Sequence, residues 1–176
     1  MRTTISPRRG LVIAIHPTSR GFGWVLFEAP GAIATWGVVD VSNYKEDKNR
    51  RALARIGKLL ERYSPSVLIL EDFEHKPARR GARIKRLCRA MLRLAAHRGI
   101  EVRVYPRAAV NACFRSVGAK TRHEIAQAVA LHVDALRHML PARRRLWDPE
   151  HPRMGLFQAA ALAITYYTLA GAEEPP

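Results

Sequence analysis

Three side chains that could take part in catalysis or ligand binding lie at the ends of two apolar segments. Glu71 and Asp72 directly follow the apolar run at 67–70, and His16 directly follows the run at 11–15. Because side chains alternate along a strand, Glu71 and Asp72 should point to opposite faces at the carboxyl end of a sheet, where open α/β sheets place their ligands. These carboxylates either belong to a functional site or are simply polar side chains exposed to solvent at the end of the strand. His16 offers ring nitrogens to a metal ion or a phosphate, or it caps the loop that follows.

A second polar set lies near the C-terminal end of the chain. His151, Met154, Gly155 and Gln158 recur at spacings that place them on one face of a helix. Gln158 can fill the space of an aspartate and accept a hydrogen bond, but it brings no charge. This face either reaches a site or forms a partly buried helix end in which Met154 and Gly155 serve packing, and packing is the simpler interpretation.

The charge balance points to a polyanionic partner. The chain has 176 residues, with 30 Lys and Arg against 15 Asp and Glu, a formal charge of +15 and 48% hydrophobic residues. This apolar content suffices for a packed core and excludes global disorder, so the excess positive charge must lie on the surface of a folded body. Nucleic acid is the commonest partner of such a surface, and an anionic membrane is the weaker alternative.

The cationic residues are concentrated in three segments. The segment at 79–100 contains no acidic residue, whereas an ordinary solvated helix face mixes charges of both signs. A second segment starts at Lys120, before a helix, where a phosphate could bind. A third combines arginines with Trp147, which either stacks on a nucleotide or is tucked into the core, the commoner outcome. The predicted nucleic-acid-binding residues are Arg79, Arg80, Arg83, Lys85, Arg86, Arg89, Lys120, Arg122, Arg143, Arg144 and Arg145.

Length, cysteine usage and hydropathy predict one cytoplasmic domain. The length suits a single domain over residues 1–176, with flexible ends at 1–9 and 171–176. Cys88 and Cys113 form no CxxC pair, so neither a disulfide framework nor a structural zinc site is expected. The first apolar run is too short for a signal peptide, and no stretch is long enough for a membrane span. We therefore expect a cytoplasmic protein with no membrane partner.

The elements that must position these residues follow from hydrophobic periodicity. Apolar and alternating runs predict strands at 11–15, 22–27, 32–39, 67–70 and 101–105. Recurrence at three-to-four spacing and a proline at the last helix start predict helices at 42–63, 83–98, 108–114, 121–140 and from about 152 onward. The first three strands follow one another through tight turns, whereas the later strands alternate with helices. We expect an α/β fold with a mixed five-stranded sheet, in which parallel strands join a three-strand antiparallel meander, with helices on both faces.

The order of these parts resembles the RuvC-like group of the ribonuclease H fold, which includes the Holliday junction resolvases. The first match is an apolar strand, a turn with Pro and Gly, and a Gly-containing second strand at 13–24. A fourth strand ending in Glu71 matches next, followed by Tyr105-Pro106 with a short helix and a Gly-Ala-Lys loop at 118–120. The small-residue run at 159–164 matches the final helix. The likeness covers nearly the whole chain and implies the same fold.

The resemblance implies a phosphodiesterase site in which carboxylates hold two magnesium ions. Glu71 fits the family's catalytic glutamate, and magnesium or manganese would be the cofactor of an active enzyme. The sequence departs from the family in two places, because His16 replaces the first-strand Asp and the last helix offers no carboxylate. The residues that could share catalysis with Glu71 are His16, Asp72, Gln158, His151 and Asp148. The implied metal ligands are Glu71, His16, Asp148 and His151.

Two functions remain open on the sequence alone. The first is a structure-selective endonuclease that cuts branched DNA such as a Holliday junction with magnesium or manganese. The second is a catalytically degenerate relative that needs no cofactor and binds branched DNA or RNA without cleaving it. Glu71 and Asp72 bring at most two negative charges to two divalent ions, which favours binding over cutting. The resemblance also implies a homodimer, because a four-way junction presents two symmetric strands, and a ribosome-associated RNA-binding module is a more distant alternative.

Overall fold

Five strands form the sheet in a computed structural model that describes residues 10–74 and 81–173. They are β1 (Val12–Pro17), β2 (Gly21–Ala29), β3 (Ala32–Asp40), β4 (Val67–Glu71) and β5 (Glu101–Tyr105). Their spatial order is β3-β2-β1-β4-β5. The first three strands pair antiparallel, while β1 with β4 and β4 with β5 pair parallel. The predicted mixed sheet, a meander joined by parallel strands, is confirmed.

Helices cover both faces of this sheet, as predicted. The described α-helices are α1 (Lys48–Tyr63), α2 (Ala82–His97), α3 (Arg107–Arg115), α4 (Arg122–His132) and α5 (Met154–Glu173). Alternation along β1 divides the core, because Ile13 and Ile15 face the layer of α1 and α2, whereas Val12 and Ala14 face the layer of α3, α4 and α5.

Two helices are shorter than the sequence predicts. The pattern at 121–140 predicts one helix, but α4 ends at His132, because Val133 is extended with its side chain buried, and a 3-10 helix (Asp134–Met139) follows. Similarly, α1 begins at Lys48 instead of residue 42, since the Asp40 carboxylate accepts a hydrogen bond from the Ser42 N–H and turns follow. In both places a contact made by one side chain overrides a weak helical preference.

Helix α5 lies directly across β1, β2 and β4. Its residues 154–163 are buried, so it forms the centre of one core layer. Its first turn approaches β2 through two glycines, because a Cβ atom built on Gly23 would lie 2.2 Å from the Gly155 carbonyl carbon. Gly23 is also the residue that pairs with His16 across the β1–β2 ladder. The first turn of α5 is therefore held over the strand end that carries His16.

Some predictions fall outside the described ranges. Arg79, Arg80 and the predicted flexible ends at 1–9 and 174–176 lie there. The rest of the predicted C-terminal end is helical, since α5 continues to Glu173. Within 10–74 and 81–173, no helix combines the length and the apolar character that a membrane crossing requires.

Candidate functional site

The parallel pairing of β1 with β4 brings His16 and Glu71 together. Ala14 pairs with Ile69, and both residues face the α5 layer, so the side chains two positions further along each strand share that face. His16 is 3% exposed and Glu71 2% exposed, and the His16 Nδ1 atom lies 3.6 Å from Glu71 Oε2. The parallel register thus brings these two predicted site residues to the same edge of the sheet.

Arg107 is a third member of this cluster that sequence reasoning did not assign. Pro106 ends β5 and caps α3, which makes Arg107 the first helical residue beside the β4 end. The Arg107 Nε atom lies 3.3 Å from Glu71 Oε1, with only 14% of the Arg107 side chain exposed. The sequence held a signal for the position of Arg107, because β5 ends at Tyr105 at the same sheet edge and Pro106 caps the next helix. Only the pairing of Glu71 with Tyr105, however, brings Arg107 to Glu71.

The buried cluster of Glu71, Arg107 and His16 is an ion pair with an imidazole beside it. An isolated buried carboxylate is very costly, and a guanidinium within ion-pairing distance compensates its charge. Gln158 is 1% exposed on α5, one turn beyond Gly155, and neither polar atom of its carboxamide has a hydrogen-bond partner in the described part of the chain. The prediction that Gln158 belongs to a buried helix face agrees with this burial.

The other predicted catalytic residues make contacts of a different kind. Asp72 accepts a hydrogen bond from the Glu74 N–H, and its own N–H donates to the Tyr105 carbonyl. Asp148 accepts a hydrogen bond from the Arg145 N–H in the connector before α5. His151 is exposed, and its Nδ1 atom accepts a hydrogen bond from the Arg153 N–H. In each case the side chain accepts from a backbone N–H two or three positions away along the chain, which is the role of a turn residue.

The described residues do not fit a two-metal centre. Such a centre needs several carboxylates that converge, because two divalent ions require negative compensation. Within 10–74 and 81–173, no group of three or more His, Cys, Asp or Glu residues is arranged to hold a metal ion. Glu71 already faces the positive charge of Arg107. Within 10–74 and 81–173, the side chains around Glu71 thus do not supply the negative charge that two divalent ions would need.

The predicted nucleic-acid-binding residues differ in how far they are committed to protein contacts. Arg89 makes two hydrogen bonds to the Glu74 carboxylate, at 2.6 and 2.9 Å, and this hydrogen bonding holds the pKa of Glu74 below its ordinary value. Arg122 lies 3.1 Å from Glu150. The other exposed or half-exposed predicted cations are Lys85, Arg86, Lys120, Arg143, Arg144 and Arg145, of which Arg144 also donates a hydrogen bond to the Asp148 carbonyl.

A capping interaction already uses some of the N–H groups at the predicted phosphate site before α4. Thr121 and Glu124 form a capping box, as their spacing predicts. The Glu124 carboxylate accepts hydrogen bonds from the N–H groups of Thr121 and Lys120, which lower the Glu124 pKa in that order. These two N–H groups are therefore satisfied within the protein, and the cationic side chain of Lys120 is what this segment offers to a phosphate.

Arg83 has a structural position within the basic helix. Its guanidinium donates to the carbonyls of Thr18 and Ser19 and to the Asn49 side chain, while the Asn49 amide donates to the Arg83 carbonyl. Burial lowers the Arg83 pKa. Arg83 thus ties α2 to the β1–β2 turn and to the start of α1.

Substitution of Arg83 should separate structure from binding. Arg83→Ala removes three hydrogen bonds, two of them to half-buried partners, so we expect the free energy of unfolding to fall by about 1–3 kcal/mol in urea denaturation. Arg86→Ala is the matched control on the same helix, since Arg86 is exposed and its loss should change stability by less than about 0.5 kcal/mol. Equal stability of the two variants would contradict the structural role of Arg83.

Comparison with known proteins identifies the fold. No protein-family model and no curated protein matches the sequence. Among solved structures, RuvC of T. thermophilus in complex with Holliday junction substrate matches with a TM-score of 0.66 and 19% identity, over 93% of this chain and 96% of that one. Another Thermus thermophilus RuvC structure matches at 0.65 and 23% identity, over 94% and 99% of the two chains. The yeast mitochondrial Holliday junction resolvase matches at 0.61 and 12% identity, over 89% and 77%.

These similarities extend over nearly the entire chain, as the sequence resemblance predicted. The matched parts of this chain include the five-stranded sheet, in which β1 pairs parallel with β4, and the helices on both of its faces. The chain therefore has the ribonuclease H-like fold of the RuvC resolvases.

Proposed function

We propose that this protein binds branched DNA through its cationic surface and does not cleave it by two-metal hydrolysis. The observation that carries the proposal is the ion pair of Arg107 with the buried Glu71, at the sheet edge where the resemblance places catalytic carboxylates. A guanidinium at this edge opposes the binding of a divalent cation, because like charges repel strongly where water is excluded. The negative charge of Glu71 is thus compensated by a side chain of the protein itself.

The surface charge supports the binding half of the proposal. The chain carries a formal charge of +15, and a surface with this charge attracts polyanions such as DNA. One structural neighbour is described in complex with Holliday junction substrate, so a four-way junction is the first DNA to test. We also propose that the protein is a homodimer of single-domain protomers, because such a dimer would match the two symmetric strands of a four-way junction.

The second candidate function is metal-dependent junction cleavage. It would use Glu71 with His16, Asp72, Asp148 or His151 around magnesium or manganese. The nearest supporting observation is that His16 and Glu71 do lie together, 3.6 Å apart. The described donors around them include one carboxylate, which makes cleavage the less supported candidate.

Binding and cleavage of a synthetic four-way junction test the proposal together. We expect the wild-type chain to bind the junction and to lose affinity by on the order of a thousandfold from low to moderate salt if it contacts about six phosphates. We expect no strand cleavage with magnesium or manganese. Gel mobility and denaturing gels measure the two results, and sedimentation measures the dimer.

The Glu71→Gln variant is the control for cleavage. Cutting by the wild type that this variant abolishes would overturn the non-cleaving half of the proposal, whereas equal cutting by both would indicate a contaminant. Affinity that does not change with salt would overturn the binding half, because phosphate contacts necessarily release counterions.

A further inference from the structure

Two large apolar side chains stand at the tip of a turn before α5. Leu146 is 98% exposed and Trp147 is 76% exposed. The Asp148 N–H donates to the Arg145 carbonyl at 3.1 Å, so Leu146 and Trp147 occupy the two central positions of a β-turn. Such positions usually carry Gly, Asn, Asp, Ser or Pro. An exposed Leu-Trp pair there gains nothing from burial within the described chain.

Polar contacts hold this turn in shape. The Asp148 carboxylate accepts a hydrogen bond from the Arg145 N–H at 3.0 Å, and the Arg144 guanidinium donates to the Asp148 carbonyl at 2.9 Å. Asp148, which the resemblance implied as a metal ligand, therefore organises the base of the turn. The apolar tip is thereby presented in a defined arrangement, which reduces the entropy that a partner must overcome.

Cations surround the apolar tip. Three successive exposed arginines at 143–145 lead into the turn, and the Arg145 guanidinium lies 5.9 Å from the centre of the Trp147 ring. Beside the turn is a cleft of about 350 Å³ between the start of α4 and the connector. Its lining includes Arg122, Arg143 and Arg144, and its one carboxylate, Glu150, is paired with Arg122. A flat aromatic surface thus adjoins a cationic cleft.

The turn lies at the same end of the sheet as the cluster around Glu71. Met154, the first residue of α5, lines the cleft, and Gly155 packs against Gly23, which pairs with His16. A DNA strand that crosses this edge of the β-sheet would therefore reach the tip of the turn.

We infer that the turn at 145–148 binds unpaired or unstacked bases of the DNA. A base stacks on Trp147 beside Leu146, and the flanking phosphates contact Arg143 and Arg144. Every base has a π-face, so stacking on an aromatic side chain recognises unpaired nucleotides without sequence preference. Nucleic acid fits this surface better than a protein does, because three adjacent arginines frame an apolar tip of only two residues. The inference rests on the proposed function and adds the feature of the DNA that the protein selects.

Two DNAs and three variants test this inference. The DNAs are a blunt duplex and the same duplex with a short bulge of unpaired thymines, each with a fluorescent label for anisotropy at fixed salt. We expect Trp147→Ala to weaken binding to the bulged DNA by about tenfold, because the variant loses the stacking of one base on the indole ring. Binding to the blunt duplex should change less than about twofold. Trp147→Phe should retain most of the affinity.

Leu131→Ala is the matched control, because Leu131 is also a strongly exposed apolar residue, at 77%, but lines a different pocket. It should leave both affinities unchanged. Equal losses on both DNAs with Trp147→Ala, or no loss on either, would overturn the inference while leaving the proposed function intact. A Trp147→Ala variant that binds both DNAs normally but changes sedimentation would assign the tip to a protein interface. Absence of any DNA binding by the wild type would overturn the proposed function itself.

Discussion

Replacement of Arg107 by alanine should lower the free energy of unfolding by about 3–5 kcal/mol. The variant leaves the Glu71 carboxylate buried without its guanidinium partner, and removal of one member of a buried ion pair costs this much because the other charge stays desolvated. The partial exposure of Arg107 places the expected value toward the lower end of that range. Urea denaturation at neutral pH, followed by circular dichroism, measures the loss.

A double-mutant cycle with Glu71→Gln isolates the pair. The double variant should be less destabilised than the sum of the two single variants, because neither member of the pair is then buried without the other. The exposed ion pair of Arg103 with Glu101 is the matched control on β5. Its N···O distance of 2.6 Å is shorter than the 3.3 Å of Arg107 with Glu71, yet Arg103→Ala should cost at most about 1 kcal/mol, since water screens the pair. Additive effects at 71 and 107 would show that the buried pair does not stabilise the fold.

Only part of this buried cluster could be predicted from the sequence. His16 and Glu71 follow apolar runs, and parallel strands end at one sheet edge, so their proximity could be expected from pattern alone. The role of Arg107 could not, because it depends on the register of β4 against β5 and on the residue at which α3 begins. A one-residue shift along a strand would turn a side chain to the opposite face.

The connector before α5 shows a second limit of sequence reasoning. The sequence left two outcomes open for Trp147, stacking on a nucleotide beside the arginines or burial in the core, and burial was the commoner expectation. The structure places Trp147 outside because Asp148 and Arg144 close a local turn. Asp148 could be interpreted as a metal ligand or as a turn residue, and only the hydrogen bonds of the folded chain distinguish the two. The helical pattern at 121–140 failed for a related reason, since the burial of Val133 is a property of the packed core.

The close approach of α5 to the sheet should make Gly23 intolerant of any side chain. A Cβ atom on Gly23 would lie 2.2 Å from both the Gly155 carbonyl carbon and the Leu156 nitrogen. These are backbone atoms in the buried part of α5, so the clash can be relieved only by moving the helix away from β1, β2 and β4 together. We expect Gly23→Ala to lower the free energy of unfolding by about 3 kcal/mol or more, at the upper end of overpacking effects. Thermal and urea unfolding measure this loss.

The same substitution in α1 should have the opposite effect. Gly57 lies in the interior of the helix, and a Cβ atom there would meet nothing closer than the Leu94 Cδ2 atom at 3.9 Å. Gly57→Ala should therefore raise the free energy of unfolding by about 0.5–1 kcal/mol, because alanine restricts the unfolded chain and favours the helix. If Gly23→Ala and Gly57→Ala unfolded alike, the first turn of α5 could not lie against β2. The placement of this helix turn beside His16, and beside the cleft next to the β-turn at 145–148, would then be wrong as well.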